Sequence, residues 1–227
     1  MKIIKTEDGL HTIYSAKYNE TYHSKHGVLQ EAQHVFLDGC DIAEKMYSKQ
    51  EISILEIGFG TGFNFFLTAG LAVHKKAKLF YYAIEKDLLS YDDLIELNHH
   101  IQFSDSPVWQ DFSIWRKEVI GNLKNGSYSF IHRNIELKLI CENALDINFP
   151  HMAFDAVYLD PFSPDVNPEL WTVSFFRKIK LSMKTGAKLS TYSAKGRVKR
   201  ALLEAGFMVE KLPGPKGKRE MLVASKT

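Results

Sequence analysis

Cysteine is nearly absent: Cys40 and Cys141 are the only two in 227 residues, and they form no CxxC. That excludes a disulfide scaffold and a thiolate metal cluster. Both read as buried structural thiols of a chain working in a reducing cytoplasm, with no metal expected. No run of about 18 apolar residues occurs, so no transmembrane helix and no membrane partner are expected. The start, Met1-Lys2-Ile3-Ile4-Lys5-Thr6-Glu7, lacks the apolar centre of a signal peptide. There is no repeat at a solenoid period and no low-complexity tract. Charge of one sign is also missing. The net charge is +2, which neither demands nor excludes a nucleic-acid partner.

What is present suffices for a core. Hydrophobic residues make up 45% and aromatics 12%, with 15 Phe and 10 Tyr. A chain of this size and composition can fold as one domain over 1–227. Residues 3–14 read as a hairpin about Asp8-Gly9, and 28–46 have helical spacing at Val28, Leu29, Ala32, Val35 and Phe36. Residues 1–50 are thus a hairpin and a helix ahead of the main sheet. A strand, Ile52–Ile57, leads into a glycine turn and then an apolar helix through Phe63, Phe66, Leu67 and Leu71. Lys78–Glu85 is the next strand. Strand, turn, helix, strand is a βαβ unit with a right-handed crossover. Residues 92–134 are expected to be a largely helical insertion. Strands resume at Ile135–Cys141, Ala153–Leu159 and Ala187–Tyr192. A helix over 194–205 follows, and Phe207–Lys211 and Glu220–Ala224 close the chain as an antiparallel hairpin. The expected fold is α/β, a doubly wound, mostly parallel, seven-stranded sheet of the Rossmann-like class I S-adenosylmethionine-dependent methyltransferase type.

The strongest local signal is Glu56-Ile57-Gly58-Phe59-Gly60-Thr61-Gly62, running on to Asn64. Glycines after a strand let backbone approach a ligand, and the next helix offers free N–H groups. A dinucleotide fingerprint would place its third glycine at Phe63, whereas here it falls at Gly62. The turn therefore suits the methionine and ribose of S-adenosylmethionine better than a pyrophosphate. Glu85 ends the next strand, where a carboxylate accepts hydrogen bonds from ribose hydroxyls. Asn143, in Glu142-Asn143-Ala144 after a later strand, is a candidate for the adenine amino group.

The second signal is Asp160-Pro161-Phe162-Ser163-Pro164, at the carboxyl end of a strand, where ligands sit in such sheets. Prolines remove N–H donors and leave carbonyls as acceptors. Asp160 adds a carboxylate and Phe162 a flat apolar face. Together they suit an amino group borne on a planar ring.

These segments resemble the methyltransferase half of the bacterial bifunctional MnmC enzymes. The resemblance rests on Leu29-Gln30-Glu31-Ala32-Gln33-His34-Val35-Phe36-Leu37, Glu56–Asn64, the run from Asp160 to Trp171 (DPFSPDVNPELW), Ala205-Gly206-Phe207 and Lys218-Arg219-Glu220-Met221-Leu222. It covers most of the chain, in order, but only poorly over 92–134. The chain departs from the family's pattern at Glu142-Asn143, where Gly-Asp is usual, and it carries no flavin fingerprint. The resemblance implies transfer of one methyl from S-adenosylmethionine to the amine of 5-aminomethyl-(2-thio)uridine at the tRNA wobble position. The amine would come from a separate flavin oxidase or from the upstream wobble-uridine enzymes. It also makes Tyr22-His23-Ser24, Glu31, His34, Pro161, Ser163, Lys218 and Arg219 candidates to close on cofactor and uridine, with Asp160 and Phe162 at the reacting end. Lys195, Arg197, Lys199, Arg200, Lys211, Lys216, Lys218 and Arg219 form a basic stretch that could meet phosphates. Other readings stay open: the same fold acting on a small-molecule amine, an aminopropyl transferase, or a non-catalytic RNA-binding module.

Overall fold

The computed structural model describes residues 2–120 and 125–227. It opens with a small antiparallel sheet of β1 (Lys2–Lys5), β2 (His11–Ser15) and β3 (Glu20–Thr21). Gly9, at φ +85°, makes the first turn, and Ile3 pairs with Ile13. Helix α1 (Val28–Glu31) runs on through a π-helical stretch, Ala32–Asp38, and then α2 (Ile42–Lys49).

The main sheet follows: β4 (Glu51–Ile57), α3 (Phe63–Lys75) and β5 (Lys78–Ile84), then α4 (Tyr91–Glu96), α5 (His99–Gln102) and α6 (Pro107–Trp115). A second π-helical stretch, Arg116–Ile120, precedes β6 (Gly126–His132), β7 (Ile135–Cys141) and β8 (Phe154–Leu159). A short 3-10 turn (Pro168–Trp171), α7 (Val173–Ser182), β9 (Met183–Thr191), α8 (Gly196–Glu204), β10 (Met208–Pro213) and β11 (Glu220–Ser225) complete the chain. The order across the sheet is β10-β11-β9-β8-β4-β5-β7-β6. The centre is parallel, and both edges close with antiparallel hairpins.

The doubly wound class is as expected, but the sheet has eight strands, not seven. The added strand is β6, at the end of the stretch expected to be largely helical. Its burial alternates, with Phe130 and His132 inward and Ser129 and Ile131 outward, because it is an edge strand with one wet face. The preceding part of that stretch is helical, and residues 121–124 lie outside the described residues.

Helices cover both faces. One layer packs α2, α3 and α6 on Ile54, Leu79, Tyr81 and Tyr158, where Phe66 meets Trp109 edge-on at 4.7 Å. The other packs α7 and α8 on Leu55, Val157 and Leu189. Strand β8 is buried at every residue, as a central parallel strand covered on both sides should be. Among the described residues no helix is long and apolar enough to cross a membrane.

Sheet topology places the site. After β4 the chain winds one way to β5 and β7, then returns to β8 on the other side of β4. Ile57 pairs with Leu159, and the Asp160 N–H donates to the Ile57 carbonyl at 2.9 Å. The two loops leaving β4 and β8 therefore diverge from one point, the crevice where such sheets bind ligands.

Candidate active site

A cavity of about 420 Å³ opens over the carboxyl ends of β8, β4, β5 and β7. Gly58, Phe59 and Gly60 form its floor, Glu85 and Asn143-Ala144 one side, and Asp160-Pro161-Phe162-Ser163 the other. The segment from Tyr14 to Lys25 roofs it, with Glu31, Tyr192 and Lys218 at the inner end.

The glycine turn needs its glycines for stated reasons. Gly58, Gly60 and Gly62 have φ of +90°, +53° and +76°. A Cβ on Gly58 would lie 2.5 Å from the Asp160 carbonyl oxygen, and one on Gly62 would lie 2.8 Å from Phe59 Cζ. Gly62 is outside the cavity wall and instead lets the Phe59 ring fold beneath the turn. The Gly60 N–H donates to Glu85 Oε2 at 2.9 Å, and the Asp87 N–H to Oε1 at 2.9 Å. Each Glu85 oxygen keeps lone-pair capacity facing the cavity, which suits a vicinal diol. Burial pushes Glu85 upward in pKa, and the backbone donors oppose that.

Glu56 and Asn64 lie beneath the floor rather than in the wall. Glu56 is fully buried, and its Oε2 has no hydrogen-bond partner among the described residues. Asn64 Nδ2 bridges two carboxyls, donating to Glu56 Oε1 at 2.8 Å and to Asp160 Oδ2 at 3.0 Å. Burial pushes Glu56 up to about 8. Asp160 is held well above the usual carboxylate range, first by desolvation and then by the neighbouring Glu31 and Glu56.

The loop after β8 is held from behind. Tyr192 Oη donates to the Pro161 carbonyl at 2.9 Å, and Trp171 Nε1 to the Phe162 carbonyl at 3.1 Å. These carbonyls, expected to face a substrate, are thus engaged within the protein. What the loop presents is the Asp160 carboxyl and the Phe162 ring. Tyr18 stacks on Phe162 at 4.3 Å and Tyr22 meets it edge-on at 5.0 Å. Ser163 is tied to the roof: its N–H donates to Glu20 Oε2 at 2.9 Å and its hydroxyl to Glu20 Oε1.

Most of the residues singled out from sequence line this cavity; Glu56, Gly62 and Asn64 lie behind its wall, and His34 and Arg219 are not part of it. His34 Nε2 pairs with the Pro213 carbonyl at 2.8 Å, and Arg219 is exposed outside the cavity lining. Asn143 Oδ1 already accepts the Leu145 N–H at 3.1 Å, so an adenine amino group would share that oxygen. Tyr18, Glu20, Thr61 and Tyr192 carry functions the sequence reading did not assign. His23 Nε2 and Thr61 Oγ1 are 2.7 Å apart, which ties the roof to the glycine turn.

A family model described as S-adenosyl-L-methionine-dependent methyltransferase matches residues 112–227, just over half of the chain. The chain belongs to that methyltransferase family. The cavity fits the methyl donor of such enzymes on its own evidence: a floor where Gly58 and Gly60 carry no side chain, and a carboxylate with free acceptor capacity at the next strand end. The methyltransferase is 35% identical to the tRNA 5-methylaminomethyl-2-thiouridine biosynthesis bifunctional protein MnmC of Burkholderia thailandensis. That match covers 97% of this chain and 34% of that protein. The Cupriavidus metallidurans protein of the same name is 34% identical, with 97% and 33% covered. The chain thus spans about a third of the length of these curated relatives. The crystal structure of MNMC2 from Aquifex aeolicus superposes with a TM-score of 0.76 at 27% identity, over 99% of this chain and 70% of that one. Spermidine synthase from Thermotoga maritima shares the fold alone, with a TM-score of 0.51 at 14% identity, over 96% and 69%.

Proposed function

We propose that this methyltransferase N-methylates the primary amine of 5-aminomethyl-(2-thio)uridine at the tRNA wobble position, the activity of a tRNA (5-aminomethyl-2-thiouridylate) methyltransferase. The observation that carries the reading is the Asp160 carboxyl beside an aromatic wall of Phe162, Tyr18 and Tyr22, adjoining the glycine turn. The MnmC relatives are named for biosynthesis of 5-methylaminomethyl-2-thiouridine in tRNA, the product this reading requires.

Gly58, Phe59, Gly60 and Glu85 would hold the cofactor's amino-acid and ribose parts, with Asn143-Ala144 near its adenine. S-adenosylmethionine supplies an electrophilic methyl on a sulfonium. The protein's task is to present a neutral amine to it. An alkylamine has a pKa of roughly 10.4 in water, so near pH 7 its nucleophilic form is disfavoured by about 4.6 kcal/mol at about 1.36 per unit. The ring wall fixes the uracil plane and excludes water, and positioning then carries much of the rate. Methyl transfer to a neutral amine would break the donor's S–CH3 bond and leave a secondary ammonium, which can shed one N–H proton afterwards. Asp160, its pKa raised by burial, would hold such a proton more firmly than a carboxylate in water does. Glu56 and Asn64 hold its carboxyl from below. Tyr22, Glu31, Pro161, Ser163 and Lys218 shape the substrate end, and residues 1–227 act as one methyltransferase domain in the cytoplasm, with no flavin and no metal required. A separate flavin oxidase or the upstream wobble-uridine enzymes would supply the amine.

The test is methyl transfer from labelled S-adenosylmethionine to tRNA carrying 5-aminomethyluridine, with unmodified tRNA beside it and nucleoside analysis after. Label as methylaminomethyluridine in the modified sample alone is the expected result. No label in either, with cofactor still bound, would redirect the reading to small-molecule amines.

A further inference from the structure

Lys218 belongs to the basic stretch that the sequence assigns to phosphate, but the structure turns it inward. It enters the cavity wall from the loop between β10 and β11. Its Nζ donates to Glu31 Oε1 at 2.6 Å and stands 4.0 Å from the centre of the Tyr192 ring. Glu31 is 7% exposed, and its other oxygen accepts the Ser24 N–H at 2.8 Å. The pair therefore sits inside the site and joins the N-terminal roof to the C-terminal loop.

The groups facing this pair come from every neighbouring element. Asp160 stands at the end of β8, with Glu56 of β4 behind it beneath the floor, and Glu20 on β3 acts on Tyr192. His23 lies in the roof, where burial pushes it down to about 4, so it is uncharged near neutrality. Without Lys218 the buried Glu31 carboxylate would stand in the inner cavity without its paired cation. Such a site would take up an ammonium readily and keep it an ammonium, since an opposite charge within about 4–6 Å stabilises the charged form by about 1–3 pKa units. An ammonium has no lone pair and cannot attack a methyl group.

We infer that Lys218 is a positioning residue that balances the charge of Glu31, so that the substrate amine meets the methyl donor unprotonated. This rests on the amine-methylating reading above. Lys218 Nζ is itself a primary ammonium held by a carboxylate and a ring face. The incoming amine then finds the best ammonium position already filled by a like charge. That like charge depresses the amine's own pKa.

The experiment measures kcat and KM against pH for aminomethyluridine-containing tRNA, with saturating S-adenosylmethionine. The proteins are the wild type, Lys218→Met, Lys218→Arg and the double variant Lys218→Met/Glu31→Gln. In Lys218→Met the alkaline rise of kcat should move up by about one unit or more. Its kcat near neutrality should drop roughly tenfold while KM holds or falls. Lys218→Arg should return the rise toward the wild-type position. The double variant, with both charges gone, should recover kcat near neutrality relative to Lys218→Met. An unmoved rise in an active Lys218→Met protein overturns the inference, and so does a double variant no better than the single. A raised KM at unchanged kcat also overturns it and returns Lys218 to phosphate binding. An inactive wild type would instead sink the amine reading itself, so the two failures are distinct. Calorimetric binding of S-adenosylhomocysteine confirms that each variant is folded.

Discussion

Gly58 and Asp160 pack backbone to backbone, so closely that a Cβ on Gly58 would stand 2.5 Å from the Asp160 carbonyl oxygen. The glycine floor of the cavity and the loop after β8 are thus packed together at the point where the sheet winding reverses. Gly58→Ala must break both. At φ +90° alanine alone costs more than about 1 kcal/mol, and the contact with backbone cannot be relieved by a rotamer change. The expected outcome is a lower melting temperature and at least a tenfold loss in S-adenosylhomocysteine affinity, read by calorimetry. Unchanged affinity would show that the turn does not hold the cofactor.

Asp160→Asn tests the proton acceptor. Asparagine keeps an oxygen for the Asn64 Nδ2 hydrogen bond of 3.0 Å and removes the charge. A general base is worth about 10² to 10⁴ in rate, so kcat should fall by that factor with cofactor affinity changed only a few-fold. Single-turnover methylation is the measurement, because it isolates the chemical step from product release. A loss under about tenfold would leave Asp160 as an orienting group only.

Glu56 sets a pH dependence of stability with a definite sign. Burial raises it from 4.5 to about 8 in the folded protein. Between those values the folded state keeps a proton that the unfolded chain has released. Stability therefore declines as pH rises through that window and is fullest below it. Glu56→Gln removes the decline while keeping an acceptor for Asn64. Its stability, followed by melting temperature, should gain on wild type steadily from about pH 4.5 toward about pH 8, by up to a few kcal/mol at about 1.36 per unit. Asp160 shifts in the same direction in both proteins, less in the variant because Glu56 contributes to its rise, so it cancels only in part. A constant gap between the two proteins across that range would count against a neutral, buried Glu56.

Some of this site was legible because the backbone itself demanded particular residues. Positive φ at Gly58, Gly60 and Gly62 leaves few choices, so the turn shows in the sequence. Glu85 is marked by ending a strand. Tyr18 and Glu20 were not legible. They lie in an irregular roof, and their partners Phe162 and Ser163 are more than 140 residues away. Asn64 was found for the wrong setting: it lies on a helix after the cofactor turn, yet it braces Asp160 across 96 positions. Strand β6 was missed because Tyr128 and Phe130 alternate only briefly after a long helical stretch, and an edge strand has one face to reveal. Contacts that bridge distant segments leave no local periodicity, and the basic stretch is the plainest case.

That stretch predicts a weaker salt dependence than its composition suggests. Lys195 and Arg197 both pair with Asp165, Lys211 pairs with Glu220, Lys216 with Glu7 and Lys218 with Glu31. Among the described residues Lys199, Arg200 and Arg219 form no ion pair. Each phosphate neutralised contributes about 0.7–0.9 to the slope of log affinity against log salt. Three available cations give a slope of about −2 to −3 for tRNA binding, where eight would give about −6 to −7. Filter binding of tRNA across a salt series, with the Lys199→Ala/Arg200→Ala/Arg219→Ala variant alongside, measures this. The variant should bind with almost no salt dependence. A wild-type slope near −7 would mean that the surface ion pairs open to the phosphates on binding. A flat wild-type slope would move tRNA recognition off this face altogether.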